Sequence, residues 1–296
     1  MLIKKMNTLK KIKEDLEMIS ALNTITAVFQ ETAHLRMVEI RKDVLRTREF
    51  LEELAKVYRL IKQSYLIFFK KNLIKKKLSE QFSFITKKRG QVAIFLSANE
   101  FFYGTLILDI WSRVYDFWKN NKTDLVVTGR LGKYLAESYR LGHKIFYFDL
   151  NDEKPEEEII KEIIKFVRKY EKIIVFHGKF ETILSQNPTI TDISGGAPLK
   201  KQNEEIKNYL FEPSPEAVLE FFETEIVGNL FNQTILEHSL AKYTARMIAM
   251  YQATENIKQF KKDLEKNKRK LEWQLSDKKQ VEIFSGFKLW SQKLKS

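Results

Sequence analysis

The chain has 296 residues, no cysteine and a formal charge of +13 at neutral pH. That length allows about two domains, and the missing thiols exclude disulfides, thiolate catalysis and thiol-based regulation. The basic start lacks the apolar core of a secretory signal, and no run of about eighteen apolar residues offers a membrane span.

Helix breakers are confined to the middle. The first glycine is Gly90 and the first proline Pro155, while 216–296 holds only Gly228 and Gly286 and no proline. Both ends are therefore predicted as long helices. From Leu9, alternating steps of three and four give Ile12, Leu16, Ile19, Asn23, Thr26, Gln30, Ala33, Met37, Ile40, Val44, Thr47, Leu51, Leu54, Tyr58, Ile61, Tyr65 and Phe68. Fourteen of these eighteen positions are apolar, which marks a coiled-coil seam and not a broad globular face. Asn23, Thr26 and Gln30 form a polar gap that lowers stability locally and sets register or faces another partner.

The centre alternates between two periods. Gln91–Leu96, Asp124–Thr128, Lys144–Leu150 and Lys172–His177 read as strands. Phe102–Lys119, Arg130–Leu141 and Pro155–Tyr170 read as helices, the last with Pro155 in its first turn and Glu156, Glu157 and Glu158 at its positive end. Thr189–Ser194 adds an edge strand before Gly195-Gly196. Strands joined by helical crossovers imply a mostly parallel sheet covered on both faces, a Rossmann-like α/β domain inserted between the arms. The usual nucleotide fingerprints are missing. Gly129-Arg130-Leu131-Gly132-Lys133 lacks the upstream glycine of a phosphate loop and has Tyr134 in place of Ser or Thr, so it reads as a strand-to-helix turn. Ser97-Ala98-Asn99-Glu100 has the polar character of a helix start. His34, His143, His177 and His238 have no ligand spacing, and Asp149, Asp152 and Glu153 read as a solvated acidic turn. No nucleophile, metal set or cofactor site assembles.

The C-terminal arm repeats the seam: Leu236, Leu240, Tyr243, Met247, Met250, Thr254, Ile257, Lys261, Leu264, Lys268, Leu271 and Leu275, nine of twelve apolar. A sixty-residue helix is about 90 Å long, too long for a small domain to cover. Each arm most simply covers the other as an antiparallel pair; the alternative is a bundle folded back on the centre. Charge follows the same division. Residues 1–89 carry 21 Lys+Arg against 10 Asp+Glu, 90–215 carry 17 against 18, and 216–296 carry 14 against 11. Basic arms suit an acidic partner, a nucleic acid or an anionic membrane surface, or are simply solvated helix faces.

Specific motifs then appear. Tyr209-Leu-Phe-Glu-Pro-Ser-Pro-Glu-Ala-Val-Leu219 resembles the YIFEPSPEEVL segment of the gamma subunit of F-type ATP synthases. Ser239 to Asn256, with Ala245-Arg246-Met247 and Ala253-Thr254-x-Asn256, is similar to that family's S-x-x-x-x-x-A-R-M-x-A-M-x-x-A-T-x-N signature, and Asn267-Lys268 follows at its spacing. Leu9-Lys10, Ile25-Thr26, Arg36-Met37 and Thr47-Arg48 fall on N-terminal family positions, and Gly129-Arg130-x-Gly132 on its GRKG. Three departures stand out. The family's SDRGLCGGLN turn is Ser97-Ala-Asn-Glu-Phe-Phe-Tyr-Gly104 here, Phe29 and Ala27 replace Met and Lys, and Glu282–Gly286 resembles EIxGG two residues late.

The resemblance implies a central-stalk subunit: an antiparallel coiled coil of N- and C-terminal helices (1–89 and 209–296) carrying the α/β domain (90–208). It would act as a rotor shaft that couples rotation to ATP synthesis or hydrolysis, without a catalytic site, cofactor or metal of its own. A specialised ATP-driven machine that makes no ATP is the nearest alternative, and a basic coiled-coil nucleic-acid binder a distant one. The implied partners are a hexamer of alpha- and beta-type nucleotide-binding subunits, an epsilon-type subunit and a membrane ring, with no nucleic acid. Through that complex the chain would sit peripherally on the cytoplasmic side of a bacterial membrane. Carried over residue by residue, hexamer contacts are expected at Thr26, Phe29, Arg36, Arg246, Met250, Asn256, Asn267 and Lys268, with Arg246 mattering more for coupling than for folding.

Overall fold

The structure, a computed structural model, describes residues 2–71, 89–121, 123–139, 144–194, 212 and 214–293. Their elements in order are α1 (Leu2–Lys71), β1 (Arg89–Phe95), α2 (Leu106–Asn121), β2 (Asp124–Thr128) and α3 (Arg130–Ser138). They continue with β3 (Ile145–Phe148), α4 (Glu157–Val167), β4 (Tyr170–Phe180), β5 (Gln186–Asp192) and α5 (Pro215–Lys293). Two compact units result, one of Met1–Thr32 with Met247–Ser296, the other of Ala33–Arg246.

The first unit is a helix pair. On α1, Ile12 and Ile19 are buried and Leu9, Leu16, Asn23, Thr26 and Gln30 half-buried; on α5, Met250 and Thr254 are buried and Ile257, Lys261, Leu264, Lys268, Leu271 and Leu275 half-buried. These are the heptad positions read from the sequence, so the seam is what folding covers. At the polar gap, Thr254 Oγ1 donates to Thr26 Oγ1 at 3.1 Å, while the Thr26 hydroxyl donates to the carbonyls of Leu22 and Asn23. Residues before Thr26 share a unit with residues after Thr254, so the two helices run antiparallel.

The second unit is built on a five-stranded sheet in the order β3-β2-β1-β4-β5. The first four strands are mutually parallel, and β5 closes one edge antiparallel to β4. Alternation along β1 sends Ala93 and Phe95 to one face and Val92 and Ile94 to the other, with Leu96 just beyond the strand continuing the pattern, the period of two expected of a strand buried on both sides. Helices α2 and α3 cover the first face and α4 the second. The α5 segment within this unit contributes to both: Ala241 and Ala245 to the first core, Val227, Phe231 and Ile235 to the second. On α1, the seam residues Ala33, Met37, Val44, Tyr58 and Ile61 are buried; the side chains of Tyr65 and Phe68, like Gly195-Gly196 and His143, lie outside the described residues. Ser214 caps α5, its Oγ accepting from the amide of Ala217 at 3.2 Å, with Pro215 in the first turn.

Several boundaries differ from the sequence reading. Helix α2 starts at Leu106 instead of Phe102, because Phe102 (φ 72°) and Gly104 (φ 58°) adopt left-handed backbone that no right-handed helix accommodates. Helix α4 starts at Glu157 after Glu156 at its cap, leaving Pro155 outside it, and Tyr170 opens β4 instead of closing that helix. Strand β5 starts at Gln186 and contains Pro188, tolerated because this is an edge strand.

Candidate functional site

The turn after β3 and the loop after β1 meet under α5 in a buried polar cluster. Lys242 Nζ lies 2.5 Å from Asp152 Oδ1, with both side chains 4% exposed. The other oxygen of Asp152 accepts from the amides of Asn99 (2.7 Å) and Glu100 (3.0 Å) and from the hydroxyl of Tyr103 (3.2 Å). Tyr243 donates its hydroxyl to the Asp152 carbonyl at 3.3 Å. One turn beyond Lys242, Arg246 donates to Glu100 Oε2 at 2.6 Å and to the Phe101 carbonyl at 2.9 Å, its guanidinium 4.1 Å from the Tyr103 ring centre. The spacing of four residues puts both cations on one face of the helix. Asn99 completes the set by donating to Asp149 Oδ1 and the Leu150 carbonyl and accepting from the amide of Arg130.

Burial shapes the electrostatics here. It pushes the Lys242 ammonium down from its ordinary value, with Asp152 opposing the shift. It also raises the Tyr103 and Tyr243 phenols, Tyr243 to about 12, and the Asp152 charge adds to both shifts. Two phenols held protonated are fixed donors to a single turn.

Beside this cluster, His238 Nδ1 accepts from the amide of Gly178 at 3.0 Å, so Nε2 carries the proton and donates to the Ser97 carbonyl at 3.1 Å. Burial holds its imidazole well below the ordinary range, and Lys242 reinforces that. The close approach of α5 needs Gly178, where a Cβ would stand 3.1 Å from Ala241 Cβ and Leu106 Cδ2.

The glycines of Gly129–Lys133 serve packing. A Cβ at Gly129 (φ 78°) would lie 2.9 Å from the carbonyl carbon and oxygen of Ala98, and one at Gly132 2.7 Å from Ser97 Cβ and Val127 Cγ1. The first amides of α3 are occupied by the chain itself: Arg130 by the Asn99 side chain at 2.7 Å and Leu131 by the Ala98 carbonyl at 2.9 Å. Asn99 thus caps a helix 31 residues away instead of starting one in its own segment.

The residues expected to contact a hexamer divide by exposure. Phe29, Asn256 and Asn267 are exposed; Thr26, Arg36 and Lys268 are half-buried; Met250 and Arg246 are buried. Thr26 spends its hydroxyl on the seam. Arg36 pairs with Glu39 at 3.0 Å and with Glu153 at 3.6 Å. Arg246 faces Glu100 within its own unit, which gives it a direct structural role that the sequence reading did not assign. Asp152, read as part of a solvated turn, is instead buried and fully engaged. Sequence reasoning also missed Lys242, Tyr103 and Glu100. The available signal was the pair Lys242 and Arg246, the two charged residues of the stretch Ser239–Met250, four apart on the helix.

Comparison with known proteins gives a consistent result. Residues 8–288 match the family model described as ATP synthase. The chain is similar to the ATP synthase gamma chain of Vesicomyosocius okutanii, 25% identical over 264 residues that cover 87% of this chain and 88% of the relative. It is likewise similar to that of Buchnera aphidicola, 26% identical over 268 residues covering 85% and 87%. Among solved structures, a chain of the Euglena gracilis mitochondrial ATP synthase OSCP/F1/c-ring assembly in rotational state 3 aligns with a TM-score of 0.65 at 12% identity, over 98% of this chain and 97% of that one. A chain of the rotor of the same enzyme in rotational state 1 aligns with a TM-score of 0.60 at 14% identity, over 91% and 99%. At such identities the likeness establishes the fold.

Proposed function

The chain belongs to the ATP synthase gamma-chain family, and from that premise we propose that it is the central shaft of an F-type rotary ATPase, turning inside a catalytic hexamer. The observation that carries the reading is the family match along 8–288 joined to a helix pair whose seam is closed but whose outer face stays apolar. Trp273, Phe284, Phe287 and Trp290 are 60–76% exposed on α5, and Met18, Leu22, Ile25 and Val28 are 44–60% exposed on α1. Apolar area of this extent calls for cover by a partner, and the cavity of a hexamer of alpha- and beta-type subunits supplies it. An asymmetric rod in a near-three-fold cavity presents a different face to each catalytic site, so rotation couples the sites by rigid contact.

In this reading the hexamer contacts are Thr26, Phe29, Arg36, Arg246, Met250, Asn256, Asn267 and Lys268, of which Phe29, Asn256 and Asn267 are exposed on the chain alone. The arms 1–89 and 209–296 form the axle, and 90–208 rests with an epsilon-type subunit on a membrane ring, placing the chain peripherally on the cytoplasmic face of a bacterial membrane. Among the described residues no helix is long and apolar enough to cross a membrane. The machine either makes ATP or is driven by it; nucleic acid plays no part.

The test is reconstitution with the catalytic head, using the full chain and a truncation from Asn267 onward. The full chain is expected to bind the head and sustain rotation. The truncation removes 30 residues, about 45 Å of helix if fully helical, and is expected to weaken torque while 33–246 stays folded. A head that never binds the full chain, or equal torque from both chains, overturns the reading.

A further inference from the structure

Two kinds of contact hold α5 to the α/β layer within Ala33–Arg246. The apolar kind, through Val227, Phe231, Ile235, Ala241 and Ala245, is non-directional. It resists separation, but small steps of rolling or sliding leave much of the apolar area buried. The polar kind has a fixed geometry. The Lys242 ammonium meets Asp152 at 2.5 Å with both side chains 4% exposed, and Asp152 is itself pinned to the loop after β1 by Asn99, Glu100 and Tyr103. Any roll of α5 against the sheet must pull a charge from its partner where water cannot replace it. The Arg36–Glu153 pair on the same turn is 3.6 Å long, with side chains 37% and 54% exposed, and is screened by solvent.

We propose that Asp152 and Lys242 are positioning residues that lock α5 to the α/β layer against torque, so that load applied to the layer reaches the helix without slip. The proposal rests on the rotor reading. It assigns a register-fixing role to a buried ion pair, which is the best-attested use of such pairs.

The chain has no cysteine, so a single introduced one gives a unique attachment point. Ser112→Cys on α2 and Glu49→Cys on α1 are both at exposed positions. Each would carry a bead on the assembled complex with its catalytic head. Lys242→Met removes the charge while Asp152 keeps three other donors, and Lys242→Arg retains both charge and donor. With Lys242→Met, unloaded ATP turnover is expected to stay within about twofold of the parent. Rotation under high viscous load is expected to slow at least about threefold through Ser112→Cys and far less through Glu49→Cys, with recovery in Lys242→Arg. Loaded speed equal to the parent through Ser112→Cys overturns the proposal, as does an equal loss through both attachment points, which would mean general destabilisation. Should Lys242→Met not fold, Lys242→Gln carries the same comparison. If the parent chain rotates through neither bead, the rotor reading itself fails and this proposal falls with it.

Discussion

Glu237 on α5 takes both the Nε and the Nη2 of Arg48 on α1 through one carboxylate oxygen, at 3.1 and 2.7 Å. Gln233, one turn earlier on α5, donates to the same oxygen at 2.9 Å. Burial alone would raise the Glu237 carboxyl, but the hydrogen bonds from Arg48 and Gln233 outweigh it and hold the group below the ordinary carboxylate range. A carboxyl whose pKa is lower in the folded state contributes stability that is present above its unfolded value and lost as pH falls through its folded one. Arg48→Met is expected to cost about 1 kcal/mol near neutrality, a figure that allows for the exposure of the arginine. In urea titrations across the acid range, the gap between Arg48→Met and the parent should close as pH drops below about 4. A gap constant with pH would remove the ion pair as its cause.

The two glycines beside the loop after β1 differ in how their surroundings can yield. At Gly132 an added methyl meets side-chain atoms of Ser97 and Val127, which can shift; at Gly129 it meets the backbone of Ala98 in a left-handed conformation. Gly132→Ala is expected to cost about 1–3 kcal/mol by overpacking. Gly129→Ala should cost more, because about 1–2 kcal/mol of backbone strain adds to the clash. Thermal unfolding of both variants checks the order; Gly129→Ala as the milder of the two would contradict it.

Phe102 is a bulky residue at φ 72°, and 57% of it is exposed. Such a conformation costs on the order of 1–3 kcal/mol and persists where the surrounding structure holds it, as the bonds of Arg246 to the Phe101 carbonyl and of Tyr103 to Asp152 do here. Phe102→Gly relieves the strain but adds backbone freedom to the unfolded chain, leaving an expected net gain of about 0.5–1 kcal/mol. The same variant should bind the catalytic head more weakly, since an exposed phenyl ring is lost. Higher stability with undiminished binding would show that the ring serves no contact.

His238 is held neutral by burial, as is His177 to a lesser degree. The unfolded chain takes up protons at both as pH falls below about 6.5 while the folded chain does not, so stability present above that value declines on acidification. Each such histidine contributes a slope approaching about 1.4 kcal/mol per pH unit. His238→Gln should be less stable at pH 7, having lost one of two fitted hydrogen bonds, and should also show a shallower decline between pH 6 and 5. An unchanged slope would mean that His238 titrates normally in the fold.

The arms were legible because a seam is a local pattern. Ile12, Ile19, Ala33, Met37, Val44, Tyr58 and Ile61 are buried at the positions that a count of three and four picks out. The parallel strands were legible for a similar reason, each being a short apolar run between turn residues. The polar cluster was not. A carboxylate such as Asp152 reads as solvated until the amides that neutralise it are known, and those belong to Asn99 and Glu100, some fifty residues earlier. The left-handed turn at Phe102 was hidden for the opposite reason: local propensity argues against it, and the bonds of Arg246 and Tyr103 to distant partners sustain it. Arg246 itself drew notice through its motif, but its pairing with Glu100 spans 146 residues and has no sequence signature.

The strand order has one further consequence. From β1 the chain winds outward through β2 to β3 and then returns to the other side at β4. In open parallel sheets this reversal leaves a crevice at the carboxyl ends of the two central strands, where such folds hold their ligands. Here His238 reaches into that place, bonded to Ser97 just beyond β1 and to Gly178 near the end of β4. The crevice has become a socket, and its occupant is a helix of the same molecule. A tethered occupant needs no capture from solution, so a place that such folds give to a ligand is filled here by a segment of the molecule's own helix.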